Sequence, residues 1–291
     1  MKKSKLFLGV CIGAAMLLTV GCNPTANHKK GAAGSIETEK EDALTFTTLK
    51  DSITEKDSAY TSSISIEFPV GGSMGIRQSI QHYLSTKLTH FIPNTDLSDT
   101  ASVNAAAFKQ NSVDGKALLQ YYHKKYISGF VSWMDSVERP RMIMFQEVKG
   151  TKLWQSDKVI TYGIDCENFM GGAHGTHMFY AASFNIQNGK PIQIVDTTKI
   201  DGMQKMMYEG LRKDYFNQKD MPHTDKDIAG ILWDKRIPLP NEHLVMHQDG
   251  VYFFYQQYEI TAFVFGSPNF TIPYEKIKPF MTPEAIALIP N

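Results

Sequence analysis

The chain has 291 residues, 42% of them hydrophobic, with 30 basic and 30 acidic side chains and a formal net charge of zero. That balance supports a folded protein with a real core and excludes a disordered chain or one steered to nucleic acid by charge. Three cysteines are too few for a disulfide framework, so the fold must hold itself by burial.

The first 21 residues read as a leader. Lys2, Lys3 and Lys5 precede an apolar run from Leu6 to Val20, then Gly21 and Cys22. The run is shorter than the roughly 20 residues that cross a bilayer, so it reads as a secretory signal rather than a span. Thr19-Val20-Gly21-Cys22 resembles a bacterial lipoprotein box, with cleavage before Cys22 and lipid on its sulfur, although Leu18 sits one place further from the cut than usual. Removing the leader takes away three lysines and no acid, leaving the mature chain at about minus three. Residues 22–57 are rich in Lys, Glu, Asp, Thr and Ser and read as a flexible tether. The expected location is the cell envelope, lipid-anchored to a bacterial membrane. No acidic run follows Cys22 to suggest surface display, so the periplasmic face is expected.

Beyond the tether, Ser63–Val70 alternates as a strand, stopped by Gly71-Gly72. Ile76, Ile80, Tyr83, Leu84, Leu88 and Phe91 recur at helical spacing. A second helix is predicted from Gly115 to Met134, N-capped by Asp114. Strands are predicted at Met142–Val148, Lys152–Gln155, Lys158–Phe169 and Met178–Ile186, and an Asn188-Gly189 turn leads into Ile192–Val195. A helix through Met203, Met207 and Tyr215 follows. A hairpin of Leu244–His247 and Val251–Ile260 turns at Asp249-Gly250, and Phe270–Pro273 adds a last strand. Thr282-Pro283-Glu284 caps a terminal helical turn. Blocks of strands and helices without regular alternation indicate an α+β fold of antiparallel sheets with packed helices. A small domain at 58–150 is expected before a larger one at 151–291.

Histidines prompt metal hypotheses. His243 and His247 are four apart, but the segment reads as strand, which separates their side chains by about 13 Å. They do not share an ion. His174 and His177 follow Gly171-Gly172-Ala173, with Asp165 and Glu167 upstream. The glycines permit positive φ and close backbone approach. No third ligand stands at convincing spacing and no nucleophile elbow is visible, so neither a metal nor a cofactor is expected and His174 is read as structural or interfacial. Cys166 lies in an alternating apolar stretch and reads as a buried small hydrophobe. In Tyr252–Tyr258, alternation places Tyr252, Phe254 and Tyr258 on one face and Phe253 with Tyr255 on the other. One face should be core and the other a partner surface.

Several separated motifs then fall in order: Tyr162, Gly171-Gly172-Ala173-His174, Asn185, Gly189-Lys190, Phe254-Tyr255-Gln256-Gln257-Tyr258-Glu259-Ile260, Gly266 and Ile272-Pro273-Tyr274. This C-terminal part resembles the extracytoplasmic domain of RsiV-type proteins, found also in front of PdaC-type peptidoglycan deacetylase domains. Ile64–Pro69 with the helix from Ile76 is similar to the smaller domain that precedes it. Gly175 departs from the family's usual Pro. The resemblance implies an α+β ectodomain without chemistry of its own, which in its best-known branch recognises lysozyme. The deacetylase and sigma-factor-binding parts have no counterpart in this sequence.

The leading expectation is a non-catalytic envelope lipoprotein binding a lysozyme-like muramidase or peptidoglycan, with Gly171, Gly172, His174, His177, Tyr252 and Tyr258 as ligand residues. The alternatives are an envelope hydrolase using His174 with Asp165 or Glu167, and a structural lipoprotein of an outer-membrane assembly.

Overall fold

The protein is seen as a computed structural model that describes residues 43–54, 60–93, 95–109, 114–134, 143–217 and 224–290. The leader and Cys22 lie outside the described residues. Five strands form one sheet in the order β1-β2-β3-β4-β5: β1 Phe46–Thr54, β2 Tyr60–Pro69, β3 Met144–Gln155, β4 Val159–Phe169 and β5 Thr176–Asn185. All neighbours are antiparallel except β2 and β3. A parallel pair needs a long crossover, supplied here by α1 Met74–Thr89, α2 Thr100–Ala106 and α3 Gly115–Met134. Together these make the fold α+β, as the blocks of strands and helices predict.

The crossover helices build the first core. Ile76, Ile80, Leu84 and Leu88 form one stripe of α1 at i, i+4 spacing. They pack with Leu118, Leu119, Tyr122 and Tyr126 of α3 on the inner sheet face of Ile64, Ile66, Val148, Ile164 and Cys166. The buried Tyr126 hydroxyl donates to the Leu88 carbonyl at 3.0 Å, so the tyrosine adds area without leaving an unpaired polar atom. Asp114 accepts from the Lys116 amide at 2.9 Å, as an N-cap should. Cys166 is buried and burial pushes its thiol up to about 12, which makes it inert.

A second core gathers the C-terminal elements: α4 Ile200–Gly210, α5 Asp225–Ile231, a three-stranded sheet of β6 Leu244–Met246, β7 Gly250–Phe254 and β8 Asn269–Pro273, then α6 Tyr274–Ile277 and α7 Pro283–Ala287. Met203, Met207, Leu211, Phe253, Phe270 and Ile272 lie at its centre. The predicted helix through Tyr215 changes character after Gly210: Leu211–Tyr215 is a π-helical turn, closed by Phe216 N–H to the Leu211 carbonyl at 2.7 Å.

Several expectations are corrected. The tether ends before residue 57, because Phe46–Thr54 is the edge strand β1, paired along its length with β2. Its outward side chains are polar, which hides the strand in the composition. The domain limit at 150/151 runs through β3, and Glu41–Asn291 forms one compact unit. Gly150 looks like a break but sits mid-strand, where a Cβ would come within 2.8 Å of the Tyr162 hydroxyl. The two strands predicted on either side of it are one, with a bulge between Lys152 and Trp154. Ile192–Val195 forms no strand, only an isolated bridge from Val195 to Met281.

Candidate functional site

The small sheet sits on the outer face of β4 and β5, where polar side chains fasten it. Thr161 donates to the Met246 carbonyl at 2.6 Å, and the Met246 amide donates to Ser183 at 2.8 Å. Further along, the sheets part and leave a groove of about 510 Å³ lined by Asp165, His177, Phe179, Tyr252, Phe254, His247 and Thr271, among others. An apolar groove with a few converging polar groups is the usual form of a ligand site.

The groove's ionisable group is a pair. His177 Nε2 lies 2.7 Å from Asp165 Oδ2, and the half-buried imidazole is held above its ordinary pKa by that hydrogen bond, with burial opposing. Glu167 stands directly opposite His177 in the β4–β5 register. The carboxylate partner expected for His174 therefore belongs to His177. Asp165 and Glu167 come close to His177 and not to His174, because the β4–β5 hairpin brings together residues ten and twelve apart in sequence. Behind the groove His243 is fully buried among Phe179, Tyr180 and Phe254, with Gln256 Nε2 donating to its Nε2 at 3.0 Å. Burial pulls its pKa down to about 3, so it is a neutral structural residue. His247 is exposed just past the other end of β6, at the groove, so the length of the strand separates the two histidines as expected.

The β5 edge is closed in a way the sequence reading missed. The Gln256 side chain accepts from the Phe179 amide at 3.2 Å and donates to its carbonyl at 2.8 Å, and Gln257 accepts from the His177 amide at 3.2 Å. Two glutamine amides thus stand in for a neighbouring strand on this stretch of the edge, and the Glu242 carbonyl continues the cover by accepting from the Ala181 amide at 3.4 Å. The signal in the sequence is Gln256-Gln257 within an aromatic run, where side-chain amides have no reason to face core.

This docking ends β7 at Phe254, not Ile260, and turns the chain at residues 256–259. Glu259 pins the turn by accepting from the Gln256 and Asn241 amides at 2.7 and 2.9 Å. Tyr258 consequently leaves the face predicted for it with Tyr252 and Phe254. It is the single non-glycine residue with positive φ among the described residues, at 68°, and it is 56% exposed. Its carbonyl accepts from Trp233 Nε1 at 3.1 Å. Its ring lies 5.6 Å from Phe263, which in turn stacks on His174 at 3.7 Å. Trp233 is 62% exposed and Val264 79%. Gly171 and Gly172 hold φ near 90° in the loop beside His174, and a Cβ at either would meet nothing. The sequence-predicted residues thus separate into two places: Gly171, Gly172, His174 and Tyr258 at an exposed aromatic patch, and His177 with Tyr252 in the groove.

Residues 194–275 match a family model described as "Protein of unknown function (DUF3298)". Two solved structures of that family superimpose on most of the chain. One, from Bacteroides fragilis NCTC 9343, has a TM-score of 0.64 at 15% identity over 85% of this chain and 98% of its own. Another, from Pseudomonas aeruginosa PAO1, has a TM-score of 0.55 at 13% identity over 86% of this chain and 99% of its own. The fold is the DUF3298 fold. No curated protein matches the chain. The matched residues hold β6 to β8, Gln256, Gln257, Tyr258 and His243, and so the matched segment supplies one wall of the groove and most of the aromatic patch.

Proposed function

We propose that this chain is a non-catalytic, lipid-anchored binding module of the cell envelope, whose partner is a lysozyme-like protein engaged at the patch around Tyr258. The observation that carries the reading is Tyr258 itself. A bulky residue in the left-handed region costs roughly 1–3 kcal/mol and persists only where the surroundings impose it. Here the imposed strain presents an aromatic ring to solvent beside Trp233, Phe263 and His174, and Tyr and Trp are among the residue types that dominate protein–protein hot spots. The RsiV-type resemblance supplies the partner class, and a slightly acidic mature chain suits a basic one.

The observation favouring a hydrolase instead is the His177–Asp165 pair. Asp165 raises the imidazole pKa, which strengthens the base but leaves less of it unprotonated near neutral pH, and the sequence offers no nucleophile elbow for it to activate, so binding is the preferred reading.

The experiment is retention of the purified full chain on immobilised lysozyme and on cell-wall sacculi. Retention on lysozyme that weakens with salt without vanishing is expected. Retention on sacculi alone would replace the protein partner with the wall polymer. The anchor has its own test: Cys22→Ser should move the protein from the membrane to the soluble fraction, because acyl chains contribute about 0.8 kcal/mol per buried CH₂ and the near-neutral ectodomain offers no substitute. Unchanged partition of Cys22→Ser with membranes would refute lipid attachment.

A further inference from the structure

We propose that Asp165, Glu167 and His177 form a binding site for a divalent transition-metal cation, with Zn²⁺ the best match to one imidazole and two carboxylates. One donor atom from each of the three residues lies within 4.8 Å of the others. Tetrahedral zinc with ligand bonds of about 2.0–2.2 Å needs donors about 3.3–3.6 Å apart, within reach of small side-chain rotations. The ligands stand on two paired strands rather than on a loop. Asp165 and Glu167 are alternate residues on the outer face of β4, and His177 of β5 is the direct cross-strand partner of Glu167. The scaffold therefore fixes the donors before any ion arrives.

A second observation is independent of the donor spacing. Glu167 also faces Glu147 directly across the β3–β4 pair, an unfavourable placement of like charges. The nearby cation, Lys149, is engaged by Glu147 at 2.9 Å. The Glu167 side chain makes no salt bridge among the described residues. Lys149, opposite Asp165 in the β3–β4 register, offsets part of this charge, and a cation held by Glu167 would relieve the remainder. Asp165 and His177 also line the groove, so open coordination positions of the ion would face a ligand bound between Phe179 and Phe254.

The test uses the full chain in detergent, stripped with chelator and titrated with ZnCl₂ by calorimetry, with MnCl₂ and CaCl₂ in parallel. The expected result is one saturable Zn²⁺ per chain, weakened at least about tenfold by Glu167→Gln and by His177→Gln. Zinc should raise the melting temperature of the parent and not of these variants. Asp165→Asn provides a third variant if either of the others fails to fold. Tyr258→Gly should bind zinc as the parent does, which keeps this outcome separate from the partner surface. Absence of one-to-one binding, or equal binding by the folded ligand variants, would overturn the site.

Discussion

Replacing Gly210 with leucine is expected to destabilise the fold by about 3 kcal/mol, the upper range for an overpacked core. Gly210 ends α4 with ordinary helical φ, and a Cβ there would come 2.4 Å from Phe270 Cδ2 and 2.6 Å from its Cγ. Phe270 has nowhere to go: it is 1% exposed and stacked on Phe253 with ring centroids 4.9 Å apart. Two effects oppose each other in Gly210→Ala. Helix propensity gains about 1 kcal/mol while the contact with Phe270 costs more, so a net loss of about 1 kcal/mol is expected. Urea denaturation of the three proteins gives the order directly. A Gly210→Leu midpoint equal to that of the parent would mean that α4 and β8 do not pack as described.

Acidification should weaken the fold through His243. Its pKa is pulled from 6.5 down to about 3, first by burial and then by Lys87, which pairs with Glu242 beside it. The native state holds the neutral ring, whereas an unfolded His243 takes up a proton below its ordinary value. This contribution is therefore complete above pH 6.5 and is lost as pH falls from 6.5 toward 3, at about 1.4 kcal/mol per unit. Between pH 6.5 and 5 it amounts to about 2 kcal/mol. Other groups titrate in that window, His90 among them, so the readout is the difference between the parent and His243→Gln, whose amide oxygen still accepts from Gln256. Unfolding at pH 7 and pH 5 should show the parent losing about 2 kcal/mol more than the variant. Equal losses would contradict a neutral, buried His243.

The α+β class, both long crossover helices and the run from Lys158 to Phe169 were legible because burial on one face leaves a period. In α1 the period is Ile76, Ile80, Leu84 and Leu88, and in β4 it is Ile160, Tyr162, Ile164 and Cys166. The edge strand β1 was not legible, since it turns only a few apolar side chains inward and its stability comes from backbone pairing with β2. The strands predicted at Met142–Val148 and Lys152–Gln155 were read as two for a related reason: Gly150 between them, a glycine required by a tyrosine packed across from it, looks the same in sequence as one required by a turn.

The candidate site was half legible. Gly171, Gly172, His174 and Tyr258 do meet, through a hairpin loop and a turn 84 residues apart at His174 and Tyr258. What brings them together, the Gln256 and Gln257 amides on the β5 edge, depends on a tertiary register that no local pattern encodes. The same holds for His177 and Asp165, which only the β4–β5 pairing makes neighbours. Alternation failed at Tyr258 because Glu259 accepts two backbone amides and ends the strand early.

Recognition through the exposed Tyr258 patch is tested most directly by Tyr258→Gly. Glycine adopts a φ of 68° without strain, so the substitution should leave the melting temperature equal to or slightly above that of the parent. Removal of a hot-spot aromatic costs at least about 2 kcal/mol of binding, a loss of roughly 30-fold. Lysozyme affinity and thermal unfolding are to be measured on the same preparations of full chain and Tyr258→Gly. A folded variant with affinity reduced at least about 30-fold is the predicted result. A folded Tyr258→Gly protein that binds lysozyme as tightly as the parent, or a parent that binds none, would contradict it.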